Sequence, residues 1–255
     1  MKPLILLTVV LFTVFQSFAQ LTPVAYEDGN QKLNGIAAIP GRPNNLKSGI
    51  LILPAWKGID NHSKETAAKL SAIGYYAFIA DIYGADNYPL DNTSAAKQSG
   101  YYKKEVAAYQ KRISLALQQL TKLGADPNNI VIIGYCFGGT GALEAARGEL
   151  PVKGVVSFHG GLAKVGDRES KPLAAKVLVL HGADDPHVSP AEIKGFQDEM
   201  RATKADWQMV YYADAVHAFS DPYAGSDPSK GAAFNEKAAK RSWDHMLLFL
   251  RDLLR

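Results

Sequence analysis

The chain contains a single cysteine, Cys136, which lies two residues from a glycine on each side, Gly134 and Gly138. The apolar run at 130–133 predicts a buried strand before the cysteine, and residues 140–147 predict a helix after it. On so sharp a turn the neighbouring backbone passes very close, and a glycine has no Cβ to obstruct it. The N–H groups that open the helix would stabilise a thiolate. This pattern predicts a nucleophilic thiol rather than a buried structural cysteine.

A nucleophilic thiol requires a general base and an acid that orients the base. His217 follows the last predicted strand, and Asp184 and Asp185 follow the strand before it. The chain order is therefore nucleophile, acid, histidine, as on α/β-hydrolase scaffolds. We predict His217 as the base. Of the two acids we prefer Asp185, because it lies three residues before Val188, which can anchor the loop in the core. Asp184 is then a turn residue.

Two backbone N–H groups should stabilise the oxyanion, those of Phe137 and Trp56. His181 is expected to support the acid loop, and His62 and His245 are expected on the surface or on a helix. For His159, lining the pocket and a purely structural role are equal alternatives. The side chains predicted to line a substrate pocket follow strands and belong to loops: Ala55, Lys57, Tyr83, Tyr88, His159 and Phe219.

The composition is that of an ordinary globular protein, with 255 residues, 47% hydrophobic and 21% charged. The 28 basic and 25 acidic residues are dispersed and give a net charge of +3, which does not indicate nucleic-acid binding. No histidines or carboxylates have the spacing of metal ligands, and no glycine loop of the phosphate-binding kind occurs. We therefore expect a small-molecule substrate, no metal, no cofactor and a monomer or dimer.

The first 19 residues have the pattern of a signal peptide. Lys2 is followed by an apolar stretch over residues 4–15, and Ser17-Phe18-Ala19 resembles a cleavage site. A membrane anchor is the alternative, but the apolar stretch is short for a spanning helix. We expect cleavage before Gln20, a mature chain of residues 20–255 without stable membrane insertion, and a periplasmic or secreted location. A lone cysteine allows no intramolecular disulfide in that oxidising compartment.

Strands and helices alternate along the mature chain. After a hairpin at residues 24–39, we predict buried strands at 49–53, 76–80, 130–133, 155–158, 177–180 and 207–212. Helices are predicted at 63–73, 101–123, 190–200 and 234–254, and residues 85–99 are predicted as a polar loop. The predicted fold is α/β, with a mostly parallel central sheet and helices on both faces. Active residues are expected at the carboxyl ends of the strands.

These stretches resemble the dienelactone hydrolase family of the α/β-hydrolase superfamily. The resemblance extends over residues 24–254 and is most specific at the cysteine turn, since most α/β-hydrolases use serine there. It implies one α/β-hydrolase domain that cleaves esters, lactones or thioesters with the triad Cys136, His217 and Asp185. The motifs that carry it are residues 80–84, 134–139, 181–186 and 215–219.

Two departures from the family bear on the substrate. The family has a glutamate in the oxyanion loop where this chain has Ala55, and a substrate-binding arginine where it has Asp221. We therefore expect neutral, apolar esters or lactones to be preferred over a lactone that carries a carboxylate. A weak or inactive relative that binds a small ligand is the alternative function. A glutaminase-type amidase is disfavoured, because no acid follows His217 closely.

Overall fold

The computed structural model describes residues 20–254, and its centre is an eight-stranded sheet with the order β1-β2-β4-β3-β5-β6-β7-β8. The first two strands form an antiparallel hairpin, β2 pairs antiparallel with β4, and the other neighbours are parallel. The strands are β1 (Leu21–Asp28), β2 (Gln31–Ala38), β3 (Gly49–Leu53), β4 (Tyr76–Ile79), β5 (Ile130–Tyr135), β6 (Gly154–Phe158), β7 (Lys176–Gly182) and β8 (Trp207–Tyr212).

Six α-helices cover the two faces of the sheet. They are α1 (Asn61–Ala72), α2 (Asn92–Lys104), α3 (Val106–Lys122), α4 (Phe137–Arg147), α5 (Pro190–Ala202) and α6 (Glu236–Leu253). Side chains alternate between the two faces along each strand, so the sheet contributes side chains to one apolar cluster on each face. Leu51 and Ile132 pack in the cluster with α3, α4 and α5, while Ile50 and Ile133 pack in the other with α1 and α6. The predicted α/β fold with a mostly parallel sheet and helices on both faces is confirmed.

The segment between β4 and β5 differs from our prediction. We predicted a polar loop at 85–99 and one helix over 101–123, but a helix already begins after Asp91, which caps it through a reciprocal hydrogen-bond pair with Ser94. The helix is interrupted at Glu105, which has φ −86° and ψ 66°, and α3 follows directly. Serine and glycine lower the helix propensity of this stretch. Burial of Ala95, Ser99 and Tyr102 compensates for that low propensity.

None of the helices within residues 20–254 is long and apolar enough to cross a membrane. The predicted signal peptide at residues 1–19 lies outside the described residues.

Candidate active site

Cys136 occupies a strained turn between β5 and α4. Its backbone has φ 54° and ψ −113°, a combination that side chains other than glycine rarely adopt. The flanking glycines make the turn possible. A Cβ at Gly134 would lie 1.9 Å from the carbonyl oxygen of Gly138, and one at Gly138 would lie 2.1 Å from that of Leu53. The turn therefore holds the thiol at the carboxyl end of β5 and at the N-terminus of α4.

Three predicted residues form one hydrogen-bonded chain. His217 Nε2 lies 3.1 Å from Cys136 Sγ, and His217 Nδ1 lies 2.8 Å from Asp185 Oδ2. The carboxylate of Asp185 is fully buried, and its second oxygen accepts the backbone N–H of His187 at 2.9 Å. The three side chains follow β5, β7 and β8, so the parallel sheet brings them together at one edge.

The two candidate acids have different surroundings. Asp185 is buried against His217, whereas Asp184 is exposed and its backbone N–H donates to the carbonyl oxygen of Ala215. The structure thus places Asp185, and not Asp184, against the imidazole.

The charges of this chain of residues reinforce one another. Burial alone would lower the pKa of His217, but hydrogen bonds with Asp185 and Cys136 raise it to about 10. Burial likewise opposes ionisation of Cys136, yet the hydrogen bond and charge of His217 bring the pKa of the thiol below its ordinary value. His217 also outweighs burial at Asp185 and lowers the pKa of that carboxyl. The site therefore favours thiolate, imidazolium and carboxylate.

The two residues predicted for the oxyanion hole line the same cavity as the thiol. Phe137 opens α4, so its N–H has no acceptor within the helix. Trp56 lies in the turn after β3, where its carbonyl oxygen accepts the hydroxyl of Tyr83 at 2.8 Å and Gly58 N–H bonds Ala55 at 2.9 Å. These bonds fix the turn and leave the N–H of Trp56 without an acceptor among residues 20–254. The N–H of Trp56 is therefore free to bind an oxyanion, while that of Phe137 bonds the Cys136 sulfur and helps to lower the pKa of the thiol.

Cys136 and His217 line a cavity of about 770 Å³. The predicted residues that also line it are Ala55, Trp56, Lys57, Phe137 and His159. This volume accommodates a small ester or lactone.

Three predicted lining residues do not reach the cavity. Tyr83 is buried behind the oxyanion turn, where its ring stacks on Phe137 at 5.7 Å. Tyr88 packs against the backbone of Gly58. Phe219 is fully buried and lies edge-on to His159 at 5.3 Å. Tyr83 and Phe219 were wrongly placed on the cavity, because large rings behind the loops gain more by packing in the core than by facing a solvated pocket. Tyr88 is half-buried and lies against Gly58 outside the cavity lining.

Several residues that line the cavity were not predicted from the sequence. His62, which we expected on the surface or on a helix, reaches the cavity from the first turn of α1 with its Nε2 buried and unpartnered. The capping box of Asp60 and Ser63 marks the start of this helix in the sequence and could have located it. No local signal marks the others: Asn61, Asn92, Ser99, Lys103, His187, Val188, Tyr223 and Ala232.

Charged side chains also line the cavity. Lys103 of α2 lines it and, after burial and His217, is the next group to affect the pKa of Cys136, which it lowers. Asp60 and Asp221 line it near α1, and burial raises the pKa of Asp221 despite the nearby ring of His62. No group of three or more His, Cys, Asp or Glu side chains in the described part of the chain is arranged to hold a metal ion.

The mostly parallel sheet, the strained thiol turn after β5, and the acid and histidine after β7 and β8 define an α/β-hydrolase. The model of the dienelactone hydrolase family matches residues 33–254, and the chain belongs to that family. It is a hydrolase of the dienelactone hydrolase type.

Known proteins similar to this chain agree with that assignment. A probable 2-oxo-3-(5-oxofuran-2-ylidene)propanoate lactonase from Bradyrhizobium sp is 26% identical, covering 79% of this chain and 82% of the relative. The solved structure of m3DLH is 29% identical with a TM-score of 0.88, and covers 94% of this chain and 100% of its own. A dienelactone hydrolase-like promiscuous phosphotriesterase from metagenomic libraries is 34% identical with a TM-score of 0.85, over the same shares.

Proposed function

We propose that this chain hydrolyses small carboxylic esters and lactones through a covalent acyl-enzyme on Cys136. The observation that carries the proposal is the unbroken hydrogen-bonded chain from Cys136 through His217 to the buried carboxylate of Asp185. It ends at a cavity that is large enough for a small substrate and is also lined by Trp56 and Phe137, the residues proposed for the oxyanion hole.

In the first half-reaction the Cys136 thiolate attacks the carbonyl carbon. The carbonyl electron pair moves onto oxygen, where the N–H groups of Phe137 and Trp56 stabilise the negative charge. When the tetrahedral species collapses, the bond to the alcohol oxygen breaks and His217 Nε2 gives its proton to the leaving alkoxide. A thioester on Cys136 remains, and Asp185 keeps the neutral imidazole in the tautomer that presents a lone pair at Nε2.

In the second half-reaction water replaces the alcohol. His217 takes a proton from water as the hydroxyl oxygen attacks the thioester carbon, and the same N–H groups stabilise the second oxyanion. The bond from carbon to sulfur then breaks, which releases the acid and restores the thiolate and imidazolium pair. Each step uses only groups that the chain itself provides.

The charges on the wall favour an uncharged substrate. Asp221 repels a carboxylate, and the cations that line the cavity, Lys57 and Lys103, are on flexible stems. Neutral esters, thioesters and lactones are therefore the proposed substrates. Lactone hydrolysis agrees with the printed name of the Bradyrhizobium relative.

A substrate panel with wild type and Cys136→Ala tests the proposal. We expect wild type to cleave p-nitrophenyl butyrate and a neutral γ-lactone faster than dienelactone, and Cys136→Ala to lose at least about 10³-fold in kcat/KM. Paraoxon belongs in the panel because the metagenomic relative is titled a phosphotriesterase. Full activity of Cys136→Ala would exclude the mechanism. If wild type binds these esters without turnover, as measured by calorimetry, the chain is a ligand-binding relative instead.

We also propose that the chain is exported, as residues 1–19 suggest. Expressed with its own leader in a Gram-negative host, the periplasmic protein should have the intact mass of a chain that begins at Gln20. A full-length chain in the membrane pellet would contradict export with cleavage.

A further inference from the structure

His159 has an unusual backbone and an unusual burial for a polar residue. It follows β6 directly, is 2% exposed and has φ 39°, in the left-handed region. Such a backbone is unfavourable for a residue that has a side chain. Its Nδ1 atom is buried and has no hydrogen-bond partner outside the residue. Both features reduce stability, so the surrounding structure must hold the ring in place for another reason.

The contacts of His159 are concentrated on the segment that carries the proposed base. Its Nε2 shares a hydrogen bond of 2.8 Å with Ser220 Oγ. Its ring lies edge-on to His217 at 5.2 Å and to Phe219 at 5.3 Å. The backbone N–H of His159 donates to the carbonyl oxygen of Leu180 in β7 at 2.9 Å, which fixes the ring to the sheet. His159 thus connects a rigid strand to three of the four residues from 217 to 220.

The segment from 217 to 220 needs such a support. His217 lies beyond the end of β8, and Ala218 beside it has φ 57°, which is also in the left-handed region. His217 is held at the backbone by bonds with Gly231 and Ala233, which belong to the same long connection to α6. Besides the bonds of His217 to Asp185 and Cys136 and the packing of Phe219 on Tyr212, the contact with His159 links this connection to the end of β6.

The ring of His159 also suits this position electrostatically. Burial holds the pKa of His159 well below its ordinary value, and the charge of His217 acts in the same direction. The ring is therefore neutral at physiological pH. A neutral imidazole can accept a hydrogen bond from the Ser220 hydroxyl at Nε2 without placing a second positive charge beside the His217 imidazolium.

We propose that His159 is a positioning residue which, through Ser220 and its ring contact, orients His217 toward Cys136. The inference rests on the proposed function, because it assigns His217 the role of the base. Without His159 the His217 ring gains freedom, and the thiolate and imidazolium pair forms less completely. Activity then falls through kcat rather than KM, and the thiolate forms at higher pH.

Three variants separate the parts of this contact. His159→Phe retains a ring and removes the acceptor, His159→Gln retains a hydrogen-bonding group and removes the ring, and Ser220→Ala removes the partner. The matched control is Ser157→Ala, which removes a buried hydroxyl on β6 that has no hydrogen-bond partner. The measurements are kcat and KM for p-nitrophenyl butyrate, the pH dependence of Cys136 alkylation by iodoacetamide, and the thermal midpoint.

We expect His159→Phe and Ser220→Ala to lower kcat about 10-fold to 100-fold while KM changes less than about threefold. The acid limb of the alkylation profile should move to higher pH in both. The double variant His159→Phe with Ser220→Ala should lower kcat by less than the product of the two single effects. His159→Gln should recover part of the loss, and Ser157→Ala should retain the wild-type profile.

The proposal is overturned if folded His159→Phe and Ser220→Ala keep wild-type kcat and alkylation profiles, even with a lower thermal midpoint, because His159 is then only structural. If His159→Phe does not fold, Ser220→Ala alone decides in the same way. Alkylation needs no substrate, so a shifted profile in a chain without esterase activity would support the positioning role and reject the proposed function.

Discussion

Replacement of Asp185 by asparagine tests the buried carboxylate of the proposed triad. The asparagine amide has the same shape, but it has no charge and can present an N–H group to His217 Nδ1 in place of the acceptor at 2.8 Å. The imidazole would then carry its proton at Nε2, which faces Cys136 Sγ. In that tautomer the ring cannot accept the proton of the attacking water.

The magnitude follows from the electrostatics of the site. The pKa of His217 is raised from 6.5 to about 10. That rise corresponds to a preference for imidazolium on the order of 5 kcal/mol, since one pH unit is about 1.4 kcal/mol. Asp185 is the largest contribution that raises this pKa, so its loss should remove a few kcal/mol of that preference and lower the rate on the order of 10²-fold. The wrong tautomer adds to this loss and brings it toward the roughly 10⁴-fold seen for the corresponding aspartate of serine proteases.

The assay is kcat/KM for p-nitrophenyl butyrate, together with the rate of Cys136 alkylation at pH 7. Asp184→Asn is the matched control, because this carboxylate is next in the chain but exposed. We expect Asp185→Asn to lose between about 10² and 10⁴ in kcat/KM and Asp184→Asn less than about threefold. If Asp185→Asn retained a third of the activity, or if Asp184→Asn were the more harmful change, the reasoning would be refuted.

Two more predictions concern pH and charge. Since the pKa of Cys136 is lowered, its alkylation should rise with pH through the thiol pKa and then remain level, and a rise at the ordinary thiol pKa would contradict the ion pair. The kcat/KM for an alkyl ester should rise with the thiolate over the same range and fall near pH 10, where His217 loses the proton that it gives to the leaving alkoxide. Asp221→Asn should raise kcat/KM about tenfold for p-nitrophenyl hydrogen succinate but not for p-nitrophenyl butyrate. The reason is that two charges about 10 Å apart interact by about 1.7 kcal/mol at an effective dielectric constant of 20. Equal changes for both esters would contradict selection by charge.

The features predicted correctly from the sequence are those with a local physical cause. Gly134 and Gly138 flank Cys136 because the turn leaves no room for a Cβ, and that requirement is visible within five residues of sequence. The structure brings His217 and Asp185 to Cys136 for a different reason: they follow successive strands, and a parallel sheet places the ends of such strands at one edge. Their catalytic roles stay predictions. The fold followed from buried apolar runs that alternate with helices.

The features that could not be predicted depend on packing between distant segments. Tyr83 follows a strand at the correct edge, yet its hydroxyl turns inward to the carbonyl of Trp56. Lys103 reaches the cavity because α2 begins directly after Asp91 and carries Lys103 in its last turn. The serines and glycine of α2 lower its helix propensity, so the sequence did not predict this helix. The support of His217 by His159 joins residues that are 58 positions apart, and nothing in either local sequence indicates it.

The thiol in the cavity is also the only one in the sequence. A thiol-specific reagent can therefore react with this protein at one residue only, and one equivalent of label corresponds to one proposed active site. A preparation can be titrated for competent molecules without knowledge of the natural substrate. A fluorophore or spin label attached at Cys136 would report on the cavity alone, so candidate ligands could be screened by the signal change that they cause at a single, structurally defined point.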